Sequence, residues 1–146
     1  MNHDLVVSQS VDIRKGKPEV WNALTNPEII KEYLFGTETI TDWKVGSEII
    51  FQGVYGDNME YTYRDKGVIT ENINLERLSY TYWSGFSGLE DKPENYSLVT
   101  YTLTDKGKNS TTFRWTQKGF ANEEAYRHSS GGMGDFLKKI KEIIER

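Results

Sequence analysis

The chain holds two imidazoles, His3 and His128. A Ser-His-Asp relay would have to use His128, but its neighbour Ser129 would project about 100° away on a helix, so His128 reads as a rim or surface residue. There is no cysteine. That removes thiolate nucleophiles, disulfides and thiolate metal sites, and the carboxylates are scattered over turns without zinc-ligand spacing. No metal and no cofactor are expected. Gly131-Gly132-Met133-Gly134 lacks the following Lys-Ser or Lys-Thr of a phosphate loop. Glu60, Arg64, Asp65, Glu71 and Arg114 lie on or beside strands. Strand parity sets Glu60, Arg64 and Arg114 opposite an aromatic face, which reads as a solvated surface with cross-strand ion pairs. Asp65 and Glu71 share the parity of Tyr61 and Tyr63 only if Gly67 introduces no bulge, and the sequence leaves that open. With His128, they are the candidates for a titrating group facing inward.

The strongest constellation is aromatic. Phe51, Tyr55, Tyr61, Tyr63, Tyr80, Tyr82, Tyr101, Phe113 and Trp115 all fall on the inferred inner parity. Rings bury large areas and serve as core, yet each buried phenol needs a partner, at ~1 to 3 kcal/mol for one left without. A partly hydrated cavity or a polar-edged ligand meets that need. The expected pocket is roughly 300 to 1,000 Å³, mostly apolar with a few hydroxyl donors. Tyr61, Tyr63, Tyr82, Phe113 and Trp115 are expected on its sheet side, Tyr126, Ser130 and Met133 on its helix side, and Trp83 or Phe86 at its mouth.

Positioning these residues requires a sheet and a cover. Leu5 to Arg14 alternates as a half-buried strand, with Gln9 on its apolar face. Gly16-Lys17-Pro18-Glu19 opens a short helix with Val20, Trp21 and Leu24 on its apolar side, and Asn26-Pro27-Glu28 starts a second through Tyr33 or Leu34. From there to about Gly119 the text is a meander of about six strands, carried by Glu48 to Tyr55, Tyr61 to Thr70, Leu78 to Tyr82, Val99 to Thr104, and Phe113 with Trp115. The last stretch, Asn122 to Arg146, is amphipathic: Tyr126, Met133, Phe136, Leu137, Ile140, Ile143 and Ile144 recur at helical spacing. Ser129 to Gly134 allows two readings. Either the helix starts only near Met133, or it runs through and its small residues leave space against the sheet.

Composition narrows the class. A chain of 146 residues fits one domain, 1–146, with a real core. Net charge is -4 with 27% charged residues of both signs, so nucleic acid and anionic membrane are not expected partners. No secretory signal and no transmembrane run of ~20 apolar residues is present, which predicts a soluble cytoplasmic protein.

The run Pro18-Glu19-Val20-Trp21-Asn22-Ala23-Leu24-Thr25-Asn26-Pro27-Glu28, followed by Val45-Gly46 and Glu76-Arg77-Leu78-Ser79-Tyr80-Thr81, resembles the Hsp90-ATPase-activator-homologue (AHSA1-like) family. That family belongs to the START-like, Bet v 1-like superfamily, and the likeness spans nearly the whole chain. Three positions depart from the family pattern: Tyr33 where Trp is frequent, Ser47 where a second Gly often follows Gly46, and Gly132-Met133 where the terminal helix usually shows Gly-Trp. The resemblance implies an α+β helix-grip fold, a seven-stranded curved sheet around a third helix with a cavity between them. With the aromatic face described above, the expected partner is a small hydrophobic molecule, flat and aromatic or lipid-like. An Hsp90-like chaperone as partner is the alternative, and a cyclase or hydrolase using the same cavity the second alternative; members of the superfamily do each of these, so the fold does not choose.

Overall fold

The computed structural model describes residues 5–146, so His3 lies outside the described residues. Strand β1 (Val7–Ile13) is followed by helices α1 (Lys17–Thr25) and α2 (Pro27–Tyr33), strands β2 (Glu38–Ile40), β3 (Glu48–Tyr55), β4 (Tyr61–Ile73) and β5 (Arg77–Tyr82), then β6 (Ser97–Gly107), β7 (Ser110–Lys118) and helix α3 (Glu123–Glu145). The strands form one seven-stranded antiparallel sheet in the order β1-β7-β6-β5-β4-β3-β2. This is a helix-grip α+β architecture: a meander closed at one edge by β1, with α3 laid across the inner face. Strand β2 has three residues and no alternating pattern long enough to read from sequence.

The local chemistry explains the boundaries. Pro27 opens α2 while the Asn26 carboxamide accepts from Glu28 N at 3.0 Å, satisfying one of the helix's free amides. Asn122 does the same for α3, accepting from Ala125 N at 2.8 Å, and Glu123 and Glu124 in the first turn favour the positive end of the helix dipole. So α3 starts at Glu123 and not near Met133. It runs through Gly131, Gly132 and Gly134, none of which takes a positive φ. Gly134 faces β1, where an added Cβ would sit 3.6 Å from the Gln9 carboxamide oxygen.

The core is one cluster. Val20 and Leu24 of α1, Ile13 of β1, Leu78, Leu103 and Phe113 of the sheet, and Leu137 and Ile140 of α3 are all buried in it. Across the inner face runs a chain of rings: Phe51 to Tyr80 with centroids 5.8 Å apart, Tyr80 to Tyr101 at 5.6 Å, Tyr101 to Trp115 at 5.0 Å, Trp115 to Phe136 at 5.5 Å, and Phe136 to Tyr33 at 6.0 Å. Tilted and edge-on pairs like these add to burial, because ring edges are positive and faces negative.

Strand β4 bends where it leaves β5. Lys66 pairs with Trp83 through two backbone bonds of 2.9 and 2.8 Å, and Val68 N then donates to the Thr81 hydroxyl rather than to a carbonyl. Gly67 sits between them because a Cβ there would run into the Thr81 carbonyl. The register shift itself falls one step later, between Ile69 and Glu71. It reverses the parity beyond it, leaving Asp65 on the inner face opposite Phe51 and sending Glu71 outward to an ion pair with Arg77 at 3.1 Å.

Candidate functional site

Between the inner face of the sheet and α3 lies a cavity of about 540 Å³. Its sheet wall comes from Phe51, Tyr80, Tyr82, Tyr101 and Trp115, and its helix wall from successive turns of α3, where His128, Ser129, Gly132, Met133 and Phe136 follow the three-and-four spacing. The mouth is framed by Trp83, Phe86 and Leu89 of the loop after β5. Gly132 accounts for part of the space: nothing lies within 4 Å of where its Cβ would be.

Polar groups are arranged in three places. On the floor, the Tyr80 and Tyr101 hydroxyls bond to each other at 2.6 Å, and the Tyr33 hydroxyl donates to the Ala23 carbonyl at 3.0 Å. On the α3 side the Gln117 amide donates to Ser97 Oγ at 2.8 Å and accepts from Ser129 Oγ at 2.7 Å. At the mouth, half-buried Asp65 accepts from the Tyr82 hydroxyl at 2.7 Å and from Gly85 N at 2.9 Å. Burial drives the Tyr33, Tyr80 and Tyr101 phenols far above their ordinary range. Tyr82 is raised too, by burial first and then by the neighbouring Asp65 carboxylate. All four therefore stay neutral and keep their donor protons.

Of the residues expected around the pocket, the fold gathers Tyr82, Trp83, Phe86, Trp115 and Met133 on its wall. Five lie elsewhere. Tyr61 is exposed on the β3–β4 hairpin, stacked on Tyr55 at 5.2 Å, because that hairpin projects beyond the end of β5 and nothing covers its tip. Tyr63 folds over Gly53 and its hydroxyl bonds to that of Thr37. Phe113 is fully buried in the core, edge-on to Tyr101, away from the open space. Tyr126 packs edge-on against Phe120 at 5.6 Å. Ser130 is one residue out of phase: its hydroxyl turns back to the Arg127 carbonyl while neighbouring Ser129 faces the cavity.

Other wall residues escaped the sequence reading. Asp65 and Gln117 both line the cavity, and the signal for Gln117 is a polar residue two after Trp115 on the same strand. His128 lies on the rim, exposed but lining the cavity. Glu71 does not line it. No group of three or more metal-ligating side chains occurs among the described residues, and no helix among them is long and apolar enough to cross a membrane.

A curved sheet gripping a terminal helix, with a ring-walled cavity held between the two, defines a helix-grip domain of the cavity-bearing kind. The chain belongs to the Activator of Hsp90 ATPase homolog 1-like family, whose profile matches residues 17–145. Among solved structures it is similar to ChR145 from Cytophaga hutchinsonii, with 36% identity, a TM-score of 0.81, and 99% of this chain and 97% of that one covered. It also shares its fold with MLL2253 from Mesorhizobium loti, at 24% identity and TM-score 0.74 over 97% of each chain. PFC0360w, an HSP90 activator from Plasmodium falciparum, has the same fold at 16% identity and TM-score 0.73 over 96% of each chain. No curated protein matches the chain.

Proposed function

We propose that the protein binds a small, flat, hydrophobic molecule, aromatic or lipid-like, between the sheet and α3. The observation that carries this reading is the cavity itself: about 540 Å³ of open space on a wall of aromatic rings, where a packed core would have filled it. A ligand of about 20 heavy atoms at ~0.3 kcal/mol per atom gains ~6 kcal/mol, a dissociation constant of tens of micromolar. The test is a two-dimensional amide NMR titration against lipids, polyphenols and polyketide-like aromatics. Shifts confined to Tyr82, Trp115 and Ser129 to Met133 are expected, and Met133→Trp is expected to abolish them by filling the space. A spectrum unchanged by every compound would overturn the proposal.

A second reading, a protein-interaction domain acting on an Hsp90-like chaperone, is favoured by family membership and by the exposed rings of Tyr55 and Tyr61, which lie outside the cavity and run on to Phe86 at its mouth. It predicts a change in chaperone ATPase rate when the protein is added; no change rejects it. Turnover in the cavity would draw on Asp65 or His128, the two titrating candidates on its wall.

A further inference from the structure

The charges on the cavity wall are one-sided. Asp65 and Glu124 contribute carboxylates, His128 is the only basic group, and among the described residues no Lys or Arg lines the space. Neither carboxylate has an ion-pair partner among those residues. Lys66, next to Asp65 along β4, points to the opposite face and is held there by Asp91 at 2.5 Å. Asp65 is bonded to two donors, the Tyr82 hydroxyl and Gly85 N. A carboxylate offers about four acceptor positions. The remaining two are free at the mouth.

The floor offers the opposite chemistry. The protons of Tyr33 and Tyr82 are committed to Ala23 O and Asp65. Of the Tyr80 and Tyr101 pair one hydroxyl donates to the other, and the accepting hydroxyl keeps a proton with no acceptor among the described residues. The Gln117 amide lies between Ser97 and Ser129, bonded once at each end, and being neutral it offers an incoming donor a weaker bond than the Asp65 carboxylate does.

From this distribution, and resting on the ligand-binding reading above, we infer that the cavity selects neutral or cationic molecules that carry an O–H or N–H donor toward Asp65 and an acceptor toward the Tyr80–Tyr101 pair, and that it rejects anions such as fatty acids. The physical basis is direct. An anionic headgroup at the mouth would approach an uncompensated carboxylate across partly desolvated space, where like charges a few ångströms apart interact much more strongly than in water. A donor finds two waiting lone pairs and makes a charge-assisted bond.

The test uses four probes on one apolar body: biphenyl-4-ylmethylamine, biphenyl-4-ylmethanol, 4-(methoxymethyl)biphenyl and biphenyl-4-carboxylate, titrated into the full chain at pH 7 and followed by amide NMR. The amine is expected to bind at least tenfold more tightly than the carboxylate, and the alcohol more tightly than the ether. In Asp65→Asn the amine-to-carboxylate ratio should fall to within about threefold. The wild-type ratio needs no variant, and Glu124→Gln, on the first turn of α3, gives a second and smaller reduction should Asp65→Asn fold poorly. A carboxylate that binds as well as the amine overturns the inference, as does a ratio that neither variant changes. If all four bind equally, the cavity reading stands and the selectivity is refuted; if none binds, the ligand-binding reading falls and takes this one with it.

Discussion

Replacing Gly132 by alanine should make the protein more stable. Glycine in a helix interior costs roughly 1 kcal/mol against alanine, and at this position no atom lies within 4 Å of the new Cβ, so no clash offsets the gain. About 1 kcal/mol in a chain of this size is a rise in Tm of about 2 to 4 °C. Gly131 has the same open surroundings but does not line the cavity, so Gly131→Ala should give a similar increment. The two positions part company with a larger side chain. Gly132→Leu keeps a good helix former and sends four carbons into the cavity, so stability holds or rises while affinity for any cavity ligand drops at least tenfold. Gly131→Leu leaves affinity unchanged. Thermal and urea denaturation followed by circular dichroism measure the first quantity, NMR titration the second. The conflict between stability and binding is the signature of space kept open for function. A lower Tm for Gly132→Ala would refute the reasoning at its root, because it would mean that the helix does not run through the glycines with room beside them.

Further outcomes follow from single contacts. Glu145 accepts from Arg14 N at 2.8 Å and Lys141 Nζ at 2.7 Å, and these bonds, Lys141 first, hold its carboxyl at about 2 against an ordinary 4.5. Its folded pKa is the lower one, so its contribution is complete above about pH 4.5 and disappears as pH falls toward 2. The side chain is 12% exposed but Arg14 is 83% exposed, and with solvent screening the contribution is about 1 to 2 kcal/mol; Glu145→Gln should lose that amount at pH 7 in urea titration and flatten the pH dependence between 5 and 2. Gly67→Ala should cost about 2 kcal/mol or more by driving a methyl into the Thr81 carbonyl, seen as a lower urea midpoint. Phe113→Ala should cost about 3 to 5 kcal/mol as a core deletion, whereas Tyr61→Ala, 53% exposed, should stay within about 1 kcal/mol and leave ligand shifts unaltered.

Local patterning in the chain expressed every element but the short β2 and the start of α3, and the likeness to a family supplied the class of fold. Asn26-Pro27 marks a helix start through a bond to the amide two residues on, and alternation along β1, β6 and β7 reports which face is buried, because strand parity and helix capping are local and a single chain segment suffices to express them. Of the residues the sequence singled out for a pocket, Tyr82, Trp83, Phe86, Trp115 and Met133 stand on the cavity wall. Parity says which face a side chain takes but not whether anything covers that face. Only the lengths and registers of the packed strands left Tyr61 bare at the hairpin tip and sealed Phe113 in the core. The shift between Ile69 and Glu71, a property of how β4 meets β5, decided that Glu71 does not share the cavity face of Asp65. Whether Gly132 would be a defect or an opening was likewise settled by what stands opposite it, for an empty volume belongs to the distance between elements and no residue encodes it alone.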